Sequence, residues 1–348
     1  MTRLLLVGAG LIGRRHAVAI RAARGAVLAA IADPDPNAQT FAADHGIPWY
    51  ASIPDALEDG LFDAAIVATP NQHHEEGAIA LIDAGLPVLI EKPLATSVAA
   101  GRRIVDAAKR RGVAIAVGHH RRYNPLVAAA KDTIGRGELG RIVAAHATVW
   151  LKKPADYFSA AWRRQPGAGP IPVNLIHDVD VLQHLCGPII EVSAMASNAV
   201  RGHEVEDTAV AAVRFQSGAL GTLTVSDTAA APWSWELTAG ENPVYTKTDQ
   251  LCAMIAGTNG SLSIPQLTLW KHDGDGAWWD AMRATHHAPT DAGTEPSDPL
   301  VRQIEQFAAV ARGEATPLCT GEDGLAALAA IEAIQVSARE GRAVRLNA

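Results

Sequence analysis

Short runs of consecutive apolar residues recur through the first third of the chain. The stretches between them carry apolar residues at helical spacing. The pattern predicts strands at 3–7, 26–32, 64–68, 87–90 and 114–118, with helices opening near Leu11, Pro36, His73 and Val98. Strands that are apolar throughout, alternating with helices, belong to a parallel sheet covered on both faces. Right-handed crossovers then give a doubly wound, dinucleotide-type α/β domain, a Rossmann fold.

Near residue 120 the pattern changes. A helix at 126–135 leads to a strand at 142–151. Strands then dominate, at 189–197, 208–215, 219–227, 252–256, 261–264 and 267–271. Gln216-Ser217-Gly218 and Thr258-Asn259-Gly260 are turn signals that join neighbouring strands as hairpins. One helix, 174–186, interrupts the series and is stopped by Gly187-Pro188. The pattern predicts an α+β domain with a large, mostly antiparallel open sheet. Helices at 299–313 and 324–341 end the chain, with Asp298 and Thr320 placed to cap them. The polar region 272–297 reads as a long loop. The expected division is a first domain over 1–120 and a second over 121–348, with the last helices able to pack back on the first.

Composition narrows the function classes. A chain of 348 residues is long enough for two domains, and an apolar share of 48% supplies real cores. The net charge is −7 and no long basic run occurs, which argues against nucleic-acid and anionic-membrane partners. Lys109-Arg110-Arg111 complements the dipole at a helix end. Cys186, Cys252 and Cys319 are isolated and odd in number, so neither a disulfide framework nor a metal site follows. No stretch approaches the length of a membrane span, and the apolar start is too short for a signal segment. A reducing, cytoplasmic setting is expected.

The strand 3–7 runs directly into Gly8-Ala9-Gly10-Leu11-Ile12-Gly13 and then into a helix. In that context G-x-G-x-x-G marks a dinucleotide site: Gly8 for the turn, Gly10 for approach to the pyrophosphate, Gly13 for helix–strand packing. The bland alternative is a glycine turn that binds nothing. Asp33 closes the second strand about twenty residues on, where a carboxylate accepts the ribose hydroxyls and repels a 2′-phosphate. Pro34-Asp35-Pro36 follows, with no Arg or Lys, so NAD is favoured over NADP. Asp33 could instead serve only as a cap. Glu91-Lys92-Pro93 ends another strand at the carboxyl edge of the sheet, where ligands bind. A desolvated lysine there can transfer protons, and Pro93 can follow a cis peptide; a plain Glu91–Lys92 surface pair is the competing reading.

Further along come Ala68-Thr69-Pro70-Asn71 with His74, Gly118-His119-His120-Arg121-Arg122-Tyr123-Asn124-Pro125, Trp162-Arg163, Gly167-Ala168-Gly169 and Leu175-Ile176-His177-Asp178. With the glycine loop and Glu91-Lys92-Pro93, these motifs make the sequence resemble the Gfo/Idh/MocA oxidoreductases over nearly its whole length. The resemblance implies a Rossmann domain followed by an open-sheet domain whose face forms a homodimer or homotetramer. It implies Lys92 beside the nicotinamide and substrate, with His177 facing it from the second domain. By the same carry-over Thr69, Asn71, His74, Glu91, His120, Trp162 and Arg163 line the cofactor. One departure stands out: many members carry Asp four residues before the histidine, and here that position is Val173. Asn174, three before His177, shares its face on a helix and can reach a substrate hydroxyl, but brings no charge. Lys92 and His177 are therefore left with the acid–base work. His177, Asp180 and His184 have helical spacing too loose for a metal site, and none is expected.

A polyhydroxylated ring needs polar groups and an apolar platform. Candidates are Lys152-Lys153-Pro154-Ala155-Asp156-Tyr157-Phe158 and Trp233-Ser234-Trp235-Glu236. Tyr157, Trp235, His120, Asn174, Lys92 and His177 form the expected substrate set. The tryptophans of this stretch, Trp150 and Trp162 among them, suit sheet cores or interfaces equally well. The expected activity is NAD-dependent oxidation of a secondary hydroxyl on a sugar, inositol or related ring. A reductase of keto sugars or other carbonyl compounds, and a non-catalytic NAD-binding regulator, are the alternatives.

Overall fold

A computed structural model describes residues 1–273, 276–287 and 298–346. The chain divides into two compact units. The first is built from residues up to Tyr123 plus a later stretch ending at Leu328, and the second from the rest.

The first unit contains β1 (Thr2–Val7), α1 (Leu11–Ala22), β2 (Ala26–Ala32), α2 (Pro36–Asp44), β3 (Trp49–Tyr50), α3 (Ile53–Asp59), β4 (Ala64–Val67), α4 (His74–Asp83), β5 (Val88–Ile90), α5 (Val98–Arg111) and β6 (Ile115–Val117). Its strands lie in the order β3-β2-β1-β4-β5-β6, and every pair is parallel. Alternate residues of each strand feed opposite cores. Leu5, Val7, Val67 and Ile90 pack with Leu81, Ile82 and Ile104 on one face. Leu4, Leu6, Ile66 and Leu89 pack with Ile20, Ile304 and Phe307 on the other. Both faces are dry, which is why these strands read as unbroken apolar runs. Strand order reverses between β1 and β4, the position where such sheets open a ligand crevice at their carboxyl ends. The two-residue β3 and seven-residue α3 carry too little periodicity to be read from sequence. Ser52 caps α3, its Oγ accepting the Asp55 N–H at 3.3 Å.

The second unit contains α6 (Pro125–Gly135), β7 (Ile142–Trp150), α7 (Ile176–Cys186), β8 (Ile189–Ser197), β9 (Thr208–Phe215), β10 (Leu220–Ser226), α8 (Trp235–Thr238), β11 (Ala253–Gly257), β12 (Ser261–Ile264), β13 (Thr268–His272) and β14 (Met282–His286). The chain then returns α9 (Pro299–Ala311) to the first unit. It continues through α10 (Gly321–Glu340), which spans the division, to β15 (Val344–Arg345). The nine strands run β14-β13-β12-β11-β7-β10-β9-β8-β15, antiparallel except for the parallel pair β7–β10. Both hairpin turns form, between β9 and β10 and between β11 and β12. Asp298 and Thr320 cap their helices as expected, accepting the N–H groups of Leu300 and Asp323.

Two readings need correction. The region 272–297 is not loop throughout: β14 pairs with β13 inside it, while 274–275 and 288–297 lie outside the described residues. All of β14 is exposed, so no alternation announced it. The helix predicted at 174–186 begins at Ile176, and a π-helical turn, Ile171–Leu175, precedes it. No described helix is long and apolar enough to cross a membrane.

Candidate active site

The glycine loop leaves β1 and enters α1 at the carboxyl edge of the parallel sheet. Gly8 has φ +93°, and a Cβ there would lie 2.7 Å from the Ala68 carbonyl oxygen. A Cβ on Gly13 would lie 2.1 Å from the Gly8 carbonyl oxygen. Gly10 is different: nothing stands within 4 Å of its would-be Cβ. It is the N-cap of α1 and supplies no side-chain cap, so the first N–H groups of the helix are left for an anion. Leu11 is exposed, and Ile12 packs on the core beneath. The arrangement fits a pyrophosphate: open space in front of a helix N-terminus, with backbone closing the sides.

Asp33 holds this loop in place. Its Oδ2 accepts the Ala9 N–H at 2.7 Å and its Oδ1 accepts the Asp35 N–H at 2.8 Å. Capping of α2 falls to Asp35, which accepts the Asn37 N–H at 2.8 Å. Each Asp33 oxygen retains acceptor capacity for a ribose hydroxyl. Asp33→Ala is expected to weaken NADH binding about tenfold, the scale of one or two charge-assisted hydrogen bonds, while weakening NADPH binding far less. Fluorescence titration with both cofactors checks this; equal losses would remove Asp33 from cofactor selection.

At the end of β4, the Thr69 Oγ1 is buried without a partner among the described residues. Asn71 opens the 3₁₀ turn Asn71–His73. His74 is buried, with Nδ1 2.8 Å from the Pro93 carbonyl and Nε2 2.9 Å from the Thr69 carbonyl. Burial pushes its pKa down, so the neutral ring donates to one carbonyl at a time and braces the β4 and β5 loops together.

The Glu91-Lys92-Pro93 turn follows β5, and the Lys92–Pro93 peptide is cis. Glu91 is no surface residue. It is 5% exposed, and its Oε1 lies 2.7 Å from Nε2 of the fully buried His16 on α1. Its Oε2 accepts the Lys92 N–H at 3.0 Å. A Cβ on Gly118 would lie 2.9 Å from the Glu91 carboxyl carbon, so Gly118 leaves room for that group. Burial, the largest influence, pushes the Glu91 carboxyl up. The His16 hydrogen bond and the charges of His16, Lys92 and His120 outweigh it and hold the carboxyl well below the usual carboxylate range. His120 opens the 3₁₀ turn His120–Tyr123. Arg122 ties that turn to the Leu318 carbonyl at 3.0 Å and to Asp323 at 3.2 Å. One edge of the first unit therefore gathers the glycine loop, Asp33, Thr69, His74, Glu91, Lys92 and His120. His16 was missed, although a histidine on an otherwise apolar helix face three residues after Gly13 is a readable signal.

In the second unit, His177 lies in the first turn of α7 and is 8% exposed. Val173 and Asn174 sit in the π-helical turn before it, so the three-or-four-residue spacing of a regular α-helix does not relate them to His177. The Asn174 Oδ1 is buried without a partner among the described residues. Glu206, also missed, anchors this turn: it accepts the Ile171 N–H at 3.0 Å, and a Cβ on Gly169 would lie 2.2 Å from its Oε1. Burial pushes the Glu206 carboxyl up. Tyr157 forms a separate cluster. The Arg163 guanidinium lies 4.1 Å from its ring centre and donates to its carbonyl at 2.7 Å, and the Lys153 ammonium lies 4.7 Å from the same ring. Trp162 is exposed beside Arg163. Trp235 is 3% exposed and its indole N–H donates to Glu241 at 3.0 Å.

Comparison with known proteins identifies the family. Residues 2–119 match the GFO/IDH/MocA oxidoreductase family model, described as an NAD-binding Rossmann fold. Residues 127–263 match the GFO/IDH/MocA C-terminal domain. The chain belongs to the GFO/IDH/MocA family of oxidoreductases. It is 30% identical to a 1,5-anhydro-D-fructose reductase of Ensifer adhaerens, covering 100% of this chain and 99% of that one. It is 27% identical to a scyllo-inositol 2-dehydrogenase (NAD(+)) of Bacillus subtilis, covering 99% and 96%. Among solved structures, the WlbA dehydrogenase of Bordetella pertussis, in complex with NADH and UDP-GlcNAcA, superposes with a TM-score of 0.78 at 30% identity, covering 100% and 99%.

Proposed function

We propose that this oxidoreductase oxidises a secondary hydroxyl of a sugar, inositol or related polyhydroxylated ring with NAD, Lys92 and His177 serving as acid–base groups. The observation that carries this reading is Lys92 itself. It stands at the carboxyl edge of a sheet whose glycine loop fits a pyrophosphate, on a turn fixed by a buried carboxylate. Bound nicotinamide supplies the hydride acceptor. Lys92 takes the hydroxyl proton, and His177 assists or relays it. Asn174 is a candidate acceptor for a second substrate hydroxyl, because its buried amide oxygen has no partner among the described residues. Tyr157, His120 and Trp235 complete the proposed substrate set; Trp162 and Arg163 belong to the cofactor set. A panel of polyols and sugars with NAD, followed at the NADH absorbance, tests the activity. No oxidation of any member would reject the reading. The anhydrofructose reductase among its relatives favours running the panel in reverse with keto sugars, since the same groups return the proton.

The exposed face of the second sheet carries Met195, Val210, Leu220 and Met254. We propose that two copies of the chain cover it, forming a homodimer or homotetramer. Val210→Lys places a charge on that face and is expected to shift the sedimentation profile toward the monomer. An unchanged profile would reject the interface. Cys186, Cys252 and Cys319 are buried and isolated in sequence, in keeping with a reducing compartment, and we place the protein in the cytoplasm.

A further inference from the structure

We propose, on the reading of Lys92 as the proton-transfer residue, that His16 and Glu91 are its positioning pair: they fix the Lys92 backbone and keep a negative charge buried beside it. His16 is fully buried in α1, and Glu91 follows β5, 75 residues away in sequence. In the 2.7 Å contact the His16 Nε2–H donates to Glu91 Oε1, since a carboxylate can only accept. With Oε1 held, Oε2 is aimed at the Lys92 N–H. Removing either partner takes from the other its side-chain hydrogen bond in a buried place, so the pair acts as a unit. The pair also links the two halves of the cofactor site: α1, whose N-terminus ends the glycine loop, is tied to the Lys92 turn.

The electrostatic consequence is specific. The charged or titratable groups facing Glu91 are His16 from α1, Lys92 from its own turn, His120 from the 3₁₀ turn and His74 from α4. None of these four is an anion, and Glu91 brings a carboxylate among them. A carboxylate near an ammonium stabilises its protonated form. On this proposal Glu91 supplies that charge to Lys92 from the preceding position in the turn.

The test compares wild type with Glu91→Gln, His16→Leu, His16→Gln and Lys92→Met. Lysines are labelled with ¹³C at Cε, and the resonance missing from Lys92→Met is followed against pH in the protein without cofactor. In Glu91→Gln that resonance is expected to titrate about one pH unit lower, the low end for loss of an adjacent opposite charge. The limb of kcat/KM that reports the base should move with it. His16→Leu strips the donor, so Glu91 takes up a proton and the shift has the same direction. His16→Gln retains an N–H donor and should titrate near wild type. NADH affinity and Tm, measured in parallel, report a merely structural role. If they fall while the Lys92 resonance stays put in both Glu91→Gln and His16→Leu, the proposal is overturned. Turnover surviving in Lys92→Met would instead overturn the assignment of Lys92, and the pair's role with it.

Discussion

Lys92→Met should lower kcat by at least about a hundredfold, the lower end of what a positioned acid–base group contributes. The substitution is chosen to remove little else. Methionine keeps an unbranched apolar stem of similar length, and the residue 92 N–H still donates to Glu91 Oε2. The Glu91–His16 pair is untouched, so the turn should hold its shape. NADH binding, read by fluorescence, should therefore change by less than about threefold, since the glycine loop and Asp33 carry the dinucleotide. A small primary amine added to the assay should restore part of the lost rate, because only the proton-transfer group is absent. A loss under about tenfold would mean that His177 is the principal base. A large loss of both turnover and NADH affinity would show that Lys92 serves binding rather than proton transfer.

Legibility of this site in the sequence follows the distance over which its chemistry is encoded. The glycine loop was readable because its requirements are local: a strand, a turn with positive φ at Gly8, a helix N-terminus. Asp33 was readable from its place at a strand end, but its bond to Ala9, which makes it a support for the loop as well, was not. Glu91 and His16 meet across 75 residues, and neither neighbourhood names the other. The π-helical turn at Ile171–Leu175 was also invisible, because a one-residue widening leaves the apolar spacing nearly unchanged. The same logic separates the two sheets. Fully apolar strands announced the first, whereas the exposed β14 and the two-residue β15 were set by pairing with neighbours rather than by their own pattern.

Gly13→Ala and Gly10→Ala change the same motif by one methyl group and should fail in opposite ways. At Gly13 the new Cβ would meet the Gly8 carbonyl oxygen at 2.1 Å and its carbon at 2.9 Å, both backbone atoms with no rotamer to yield. α1 must lift from the end of β1, and overpacking of this kind costs about 1–3 kcal/mol or more. Tm should drop by several degrees, and NADH affinity should fall because the loop itself is displaced. At Gly10 the backbone has φ −67° and ψ −165°, which alanine adopts freely, and nothing lies within 4 Å of the new atom. Tm should stay within about 1 °C of wild type, as expected for a substitution that meets no neighbour. The methyl group nevertheless stands at the mouth of the α1 N-terminus, in the space a pyrophosphate needs, so the Kd for NADH should rise at least about tenfold. Calorimetry and fluorescence titration on the two variants separate the packing role from the binding role. Unchanged NADH affinity in Gly10→Ala would mean that the open space before α1 is not where the phosphates lie. An equal loss of Tm in both would mean that the loop's glycines serve the fold alone.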